Sequence, residues 1–137
     1  LIGGSIALKA RSLNIFDEIV GIGRLGGNSL ESLVISGALD SSSTEIDINI
    51  NKASLIIIAT PVAQTKLILK KIEPFLNART VITDVGSTKS IVMNEAKLAL
   101  KNKFSQFIGS HPIAGSEKHG TLAAKKDLFS GKNIVLT

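Results

Sequence analysis

Short apolar runs recur along the chain. Each is closed by glycine, proline or a small polar residue, and most are followed by a segment whose apolar positions return every three to four residues. The clearest run is Ser54-Leu55-Ile56-Ile57-Ile58-Ala59. A continuous β-branched stretch of this length predicts a parallel strand covered on both faces. It stops at Thr60-Pro61, where proline suits the first helical position and Thr60 can cap the helix that follows. In that helix Val62, Thr65, Leu69 and Ile72 share one face, while Lys66, Lys70 and Lys71 reach solvent. Pro74 closes it. Arg79 to Asp84 restart the strand pattern, and Ser87 or Thr88 caps a second helix running through Val92, Ala96 and Ala99. Phe107-Ile108 is a further short apolar run.

The flanking segments follow the same rhythm with weaker signals. Leu1 to Ser5 lead straight into Ile6, Ala7, Leu8 and Ala10, a helix-like opening with no strand in front of it. Asp17 to Arg24 supply a strand. Gly26-Gly27-Asn28 form a turn, Ser29 caps a helix burying Leu30, Leu33 and Val34, and Gly37 ends that helix. Asp40 to Asn51 are polar but interrupted by Ile46, Ile48 and Ile50, which predicts a short edge strand or an ordered loop. Past residue 120 the pattern suggests a helix carrying Leu122, Leu128 and Phe129, then a strand from Asn133 to Thr137. Strand and helix alternating with short turns predict one α/β domain over residues 1–137, built on a doubly wound, mostly parallel sheet.

Composition narrows the function classes. Of the 137 residues 44% are hydrophobic and 20% charged, which favours a compact fold over disorder. No apolar run approaches the roughly 18 to 20 residues of a membrane span, and the start of the chain lacks the order of a signal peptide. The absence of cysteine removes disulfides and thiolate metal sites, and no metal ligand set is expected; the location expected is cytoplasmic. The formal net charge is +5, but the lysines are scattered and there is no tyrosine or tryptophan to stack bases. Nucleic acid is therefore not the expected partner. An anionic small substrate or cofactor would use the same field.

Three places carry candidate chemistry. Leu1-Ile2-Gly3-Gly4-Ser5 looks like the end of a dinucleotide fingerprint, G-x-G-x-x-G, with Gly3 as its third glycine; a plain tight turn explains the pair equally well. On the fingerprint reading the chain is expected to lack the first strand. About 20 residues past that glycine a nucleotide fold usually places an acid on the ribose 2′-hydroxyl. Here the position holds Gly23 followed by Arg24, which leans toward NADP over NAD, although Arg24 can equally stack on adenine or face solvent. The third place is a pair of polar clusters after successive strands. Asp84-Val85-Gly86-Ser87-Thr88-Lys89 open a helix N-terminus, and Gly109 to Glu117 contain His111, held between a strand end and a proline-fixed turn. Two such clusters at neighbouring strand ends read as one active site, with His111 as the base. Each residue also has a plain structural reading: Ser87 as a cap, Asp84 as a turn organiser, Lys89 in solvent or on a substrate carboxylate, His111 packed on Pro112, His119 on the surface.

Four motifs in order, Leu-Ile-Gly-Gly-Ser at the start, Ile-Ala-Thr-Pro at 58–61, Asp-Val-Gly-Ser-Thr-Lys at 84–89 and Gly-Ser-His-Pro-Ile-Ala-Gly-Ser-Glu at 109–117, closely resemble the prephenate/arogenate dehydrogenase family of tyrosine biosynthesis. The resemblance covers essentially the whole chain and corresponds to that family's Rossmann-like nucleotide-binding domain. It implies oxidative decarboxylation of prephenate or arogenate with hydride transfer to NAD(P)⁺. It further implies His111 as the base on the substrate hydroxyl, Ser87 beside that hydroxyl and the nicotinamide, and Glu117 as a pocket acid. Thr60 and Pro61 then lie in the turn beside the nicotinamide, and Gly3 in the pyrophosphate loop. Family members also carry a C-terminal helical domain that builds a homodimer, which this chain is expected to lack. The alternative is a nucleotide-binding or regulatory fragment without catalysis.

Overall fold

The structure, a computed structural model, describes residues 1–24, 29–115 and 120–137. The expected turn at Gly26 to Asn28, and the roles given to Glu117 and His119, lie outside the described residues. The chain divides into two compact units, Leu1–Glu45 with Ala114–Asn133, and Ile46–Ile113 with Ile134–Thr137.

The first unit opens on helix α1 (Ile2–Leu13), whose small residues Gly4, Ser5, Ala7 and Ala10 form the buried face. Asn14 ends it in the left-handed conformation (φ 51), one of the few side chains that tolerate it. Strands β1 (Val20–Ile22) and β2 (Ser41–Ser43) pair in parallel, with Val20 opposite Ser41. Helix α2 (Ser29–Ile35) connects them and ends before Gly37 (φ 72). The core here is Ala7, Leu33, Ala38 and Leu39, with Leu8, Ile19, Leu30 and Val34 packed against it. Asp40 ties three segments together: it accepts from the Ile19 amide at 2.7 Å, pairs with Arg11 on α1, and leads directly into β2. The Ile19 N–H, and then the Arg11 guanidinium, hold its carboxyl below the usual carboxylate range.

In the second unit β3 (Leu55–Ile58), β4 (Val81–Asp84) and β5 (Phe107–Ile108) form a parallel sheet with β4 in the middle. Ile58 lies opposite Asp84, and Thr83 opposite Ile108. Helices α3 (Thr65–Ile72) and α4 (Lys89–Leu100) pack on each other and bury Leu69, Ile72, Val92, Ala96 and Leu100 completely. Full burial of each large aliphatic chain contributes about 1.5–3 kcal/mol, so this helix pair and the sheet under it anchor the unit. After Gly109 the chain continues as β6 (Ser110–Pro112), which pairs antiparallel with β7 (Ile134–Leu136).

Several expectations change. Ile46, Ile48 and Ile50 do not alternate along a strand. The strand is the serine run of β2, and Ile48–Lys52 form a 3₁₀ helix that buries Ile50. β3 is an edge of its three-stranded sheet, and only Ile58 on it is fully buried. No α-helix forms around Leu122, Leu128 and Phe129: Thr121–Ala123 make one 3₁₀ turn, and Leu122 is 92% exposed. Pro61 precedes the helical segment in extended conformation (ψ 139), and a 3₁₀ turn, Val62–Gln64, stands between it and α3.

Candidate functional site

Asp84, the last residue of β4, is buried at the sheet's carboxyl end, where open α/β sheets place their reactive groups. Its Oδ2 accepts from the Gly86 amide at 2.8 Å and its Oδ1 from the Ser110 amide at 3.1 Å. It is therefore the turn organiser the sequence allows. It also pairs with the Lys89 ammonium, and both side chains are largely withdrawn from water, 2% and 15% exposed. Lys89 thus faces inward, and its Nζ also donates to the Ser110 carbonyl at 2.7 Å. Neither solvent nor a substrate carboxylate is needed to account for it.

Ser110 is bound on every side. Besides these backbone bonds, its hydroxyl donates to the Asp84 carbonyl at 2.5 Å and accepts from Thr83 Oγ1 at 3.1 Å. Two glycines allow the packing. A Cβ on Gly86 would come within 3.0 Å of Asp84 Oδ2 and 2.8 Å of Val62, and one on Gly109 within 2.5 Å of Thr137 Oγ1 and 2.8 Å of Met93 Sδ.

His111 follows Ser110 within β6. Expected between a strand end and a proline-fixed turn, it lies within a strand that includes Pro112, because pairing with Val135 on β7 extends the backbone there. The ring is half-buried, and its Nδ1 lies 3.4 Å from the Val85 carbonyl oxygen. That oxygen can only accept, so the contact is a hydrogen bond when the ring proton is on Nδ1. Nε2 then keeps its lone pair, the state a general base requires.

Ser87 is exposed in the turn between β4 and α4, two residues beyond the carbonyl that His111 faces. It does not cap α4. The cap position is Thr88, whose side chain makes no capping bond either, so the helix starts on free N–H groups. Thr60, just past β3, does not cap α3; its buried Oγ1 has no hydrogen-bond partner among the described residues. In the first unit Gly3 lies in the opening turn of α1, which has no side-chain cap and no acid in that turn. Arg24 is exposed directly after β1, and the Gly23 amide donates to Ser43 at 3.0 Å.

The structure therefore gathers Asp84, Lys89 and His111 at one sheet end. Two participants escaped the sequence reading, Ser110 and the Val85 carbonyl. The spacing of Asp84 and Lys89 across the turn was the available signal, and it reveals neither the pair's inward direction nor its backbone targets. Among the described residues no group of three His, Asp or Glu could hold a metal ion, and no helix is long and apolar enough to cross a membrane.

Residues 6–137 match the family described as prephenate dehydrogenase, nucleotide-binding domain. The chain is 38% identical over 138 residues to the prephenate dehydrogenase of Bacillus subtilis, covering all of this chain and 37% of that protein. It therefore spans well under half the length of that relative. Among solved structures, prephenate dehydrogenase from A. aeolicus, in complex with hydroxyphenyl propionate and NAD⁺, superposes with a TM-score of 0.88 at 29% identity, over 99% of this chain and 46% of that one. Synechocystis arogenate dehydrogenase gives 0.85, also at 29% identity, over all of this chain and 46% of that one. The fold is thus α/β and Rossmann-like, with mostly parallel sheets.

Proposed function

The chain belongs to the prephenate dehydrogenase nucleotide-binding domain family, and on that premise we propose that the protein carrying it oxidatively decarboxylates prephenate or arogenate in tyrosine biosynthesis. NAD(P)⁺, when bound, supplies the hydride acceptor. The substrate hydroxyl gives its proton to His111 Nε2, the ring carbon bearing that hydroxyl gives up hydride, and the ring carboxylate leaves as CO₂. Aromatisation drives the reaction, so the protein mainly has to take one proton and orient one hydride. The relatives' names and bound ligands support this reading.

The observation that carries it is the contact between His111 Nδ1 and the Val85 carbonyl, which, with the ring proton on Nδ1, leaves the Nε2 lone pair to accept a proton. Ser87, exposed two residues beyond the Val85 carbonyl that His111 faces, orients the hydroxyl. Glu117 is assigned to the substrate pocket on its place in the motif. Each unit by itself carries groups that suit part of a dinucleotide. The uncapped N-terminus of α1 at Gly3 presents N–H groups suited to a pyrophosphate, and the partnerless buried hydroxyl of Thr60, beside Pro61, suits a polar edge of the nicotinamide. Arg24, with no acid at Gly23, favours the 2′-phosphate of NADP. A cytoplasmic homodimer completes the proposal.

The test is His111→Asn in the full-length protein. Turnover is expected to fall at least about a hundredfold with cofactor affinity retained. Unchanged turnover would overturn the assignment.

A further inference from the structure

The Val85 carbonyl and the Gly86 amide are the two ends of one peptide group. The Gly86 N–H donates to Asp84 Oδ2 at 2.8 Å, and the Val85 oxygen faces His111 Nδ1 at 3.4 Å. In a planar trans peptide these two groups point in opposite directions, so a carboxylate that holds the amide also aims the carbonyl. A charge-assisted bond to the N–H polarises the same peptide and strengthens its oxygen as an acceptor. The peptide entering His111 is held as well, since Lys89 Nζ donates to the Ser110 carbonyl at 2.7 Å, and the peptide before it is held by Asp84 Oδ1, which accepts from the Ser110 amide at 3.1 Å.

We propose that Asp84 and Lys89 are positioning residues for His111: the buried ion pair sets the direction and tautomer of the base through the Val85–Gly86 and Ser110–His111 peptides. The catalytic part of this inference rests on His111 being the base, as proposed above; the part concerning the tautomer does not. A purely stabilising role explains the pair less well. Withdrawing two charges from water commonly costs as much as their attraction returns, and an apolar replacement often serves stability equally. What apolar side chains cannot do is bind the Gly86 amide and the Ser110 carbonyl and so fix the direction of both peptides.

The experiment uses the full-length protein with ¹⁵N-labelled histidine, the His111 signal being identified by its loss in His111→Asn. The ¹⁵N shifts should show the proton on Nδ1 in the parent and movement toward the Nε2–H form in Asp84→Asn. Lys89→Met should loosen the ring in the same direction, and Lys89→Arg, which keeps a donor for Ser110, should largely restore it. Turnover should fall roughly 10- to 100-fold in Asp84→Asn and Lys89→Met while KM and cofactor affinity stay within about twofold, the pattern of a misaimed group. Thr83→Val removes bonds to Ile108 and Ser110 at the same strand end and should lower Tm without moving the tautomer. Should Asp84→Asn fail to fold, Lys89→Met decides alone. An unchanged Nδ1–H signal in the variants that fold would overturn the proposal whatever the activity. Loss of the base assignment through an active His111→Asn would strike only the catalytic part.

Discussion

Thr60 carries a buried hydroxyl that meets no partner among the described residues, and a polar atom in that condition loses the water it would otherwise bind. Thr60→Val removes the hydroxyl at nearly constant shape. Without ligand the variant should melt at the same temperature as the parent or slightly above it. Its affinity for NAD(P)⁺ should fall about five- to tenfold, the worth of one hydrogen bond near 1 kcal/mol, as read by calorimetric titration. A lower Tm together with unchanged cofactor affinity would mean that the hydroxyl serves the fold alone. At this scale the sequence reveals residue types well: His111, Asp84 and Thr60 stand out by chemistry beside strand ends. It does not reveal where their polar atoms point. Thr60 reads as a helix cap in the chain, yet it caps nothing, because the 3₁₀ turn Val62–Gln64 intervenes before α3.

Among the elements, α4 ends at a strained residue. Lys101 has φ 54 and ψ −118, a conformation open to glycine and costly for a side chain bearing Cβ. Lys101→Gly should therefore stabilise the protein by about 1 kcal/mol, seen as a higher denaturation midpoint with an unchanged m-value. A destabilised variant would place the greater weight on the lysine side chain. The longer elements were legible because their signals are local. Thr65, Leu69 and Ile72 repeat at helical spacing, and all three are buried. The short ones were not. A three-residue strand such as Ser41–Ser43 is held by pairing with β1, and nothing in a run of serines announces a partner. Conversely, the apolar residues of 121–129 suggested a helix, but Leu122 lies in solvent; periodicity forms structure only where a surface covers it.

For the chain as a whole, a net charge of +5 favours anionic ligands without choosing among them; in the function proposed above the choice falls to Arg24. NADP⁺ should bind the full-length protein about five- to tenfold more tightly than NAD⁺, a difference of order 1 kcal/mol for one exposed phosphate contact. Arg24→Ala should erase that preference in a calorimetric comparison, whereas a parent that favours NAD⁺ would reverse the assignment. The sequence by itself determined the longer strands and helices, the fold class and the residue types able to do chemistry, because each depends on neighbours a few positions away. Only the tertiary structure decided what those residues do together. Asp84 reaches an amide 26 residues on and Lys89 a carbonyl 21 residues on, and these distances close because β4 and β5 run parallel with α4 between them in the chain. Contacts of that separation come from the pairing of strands, and no local pattern encodes them.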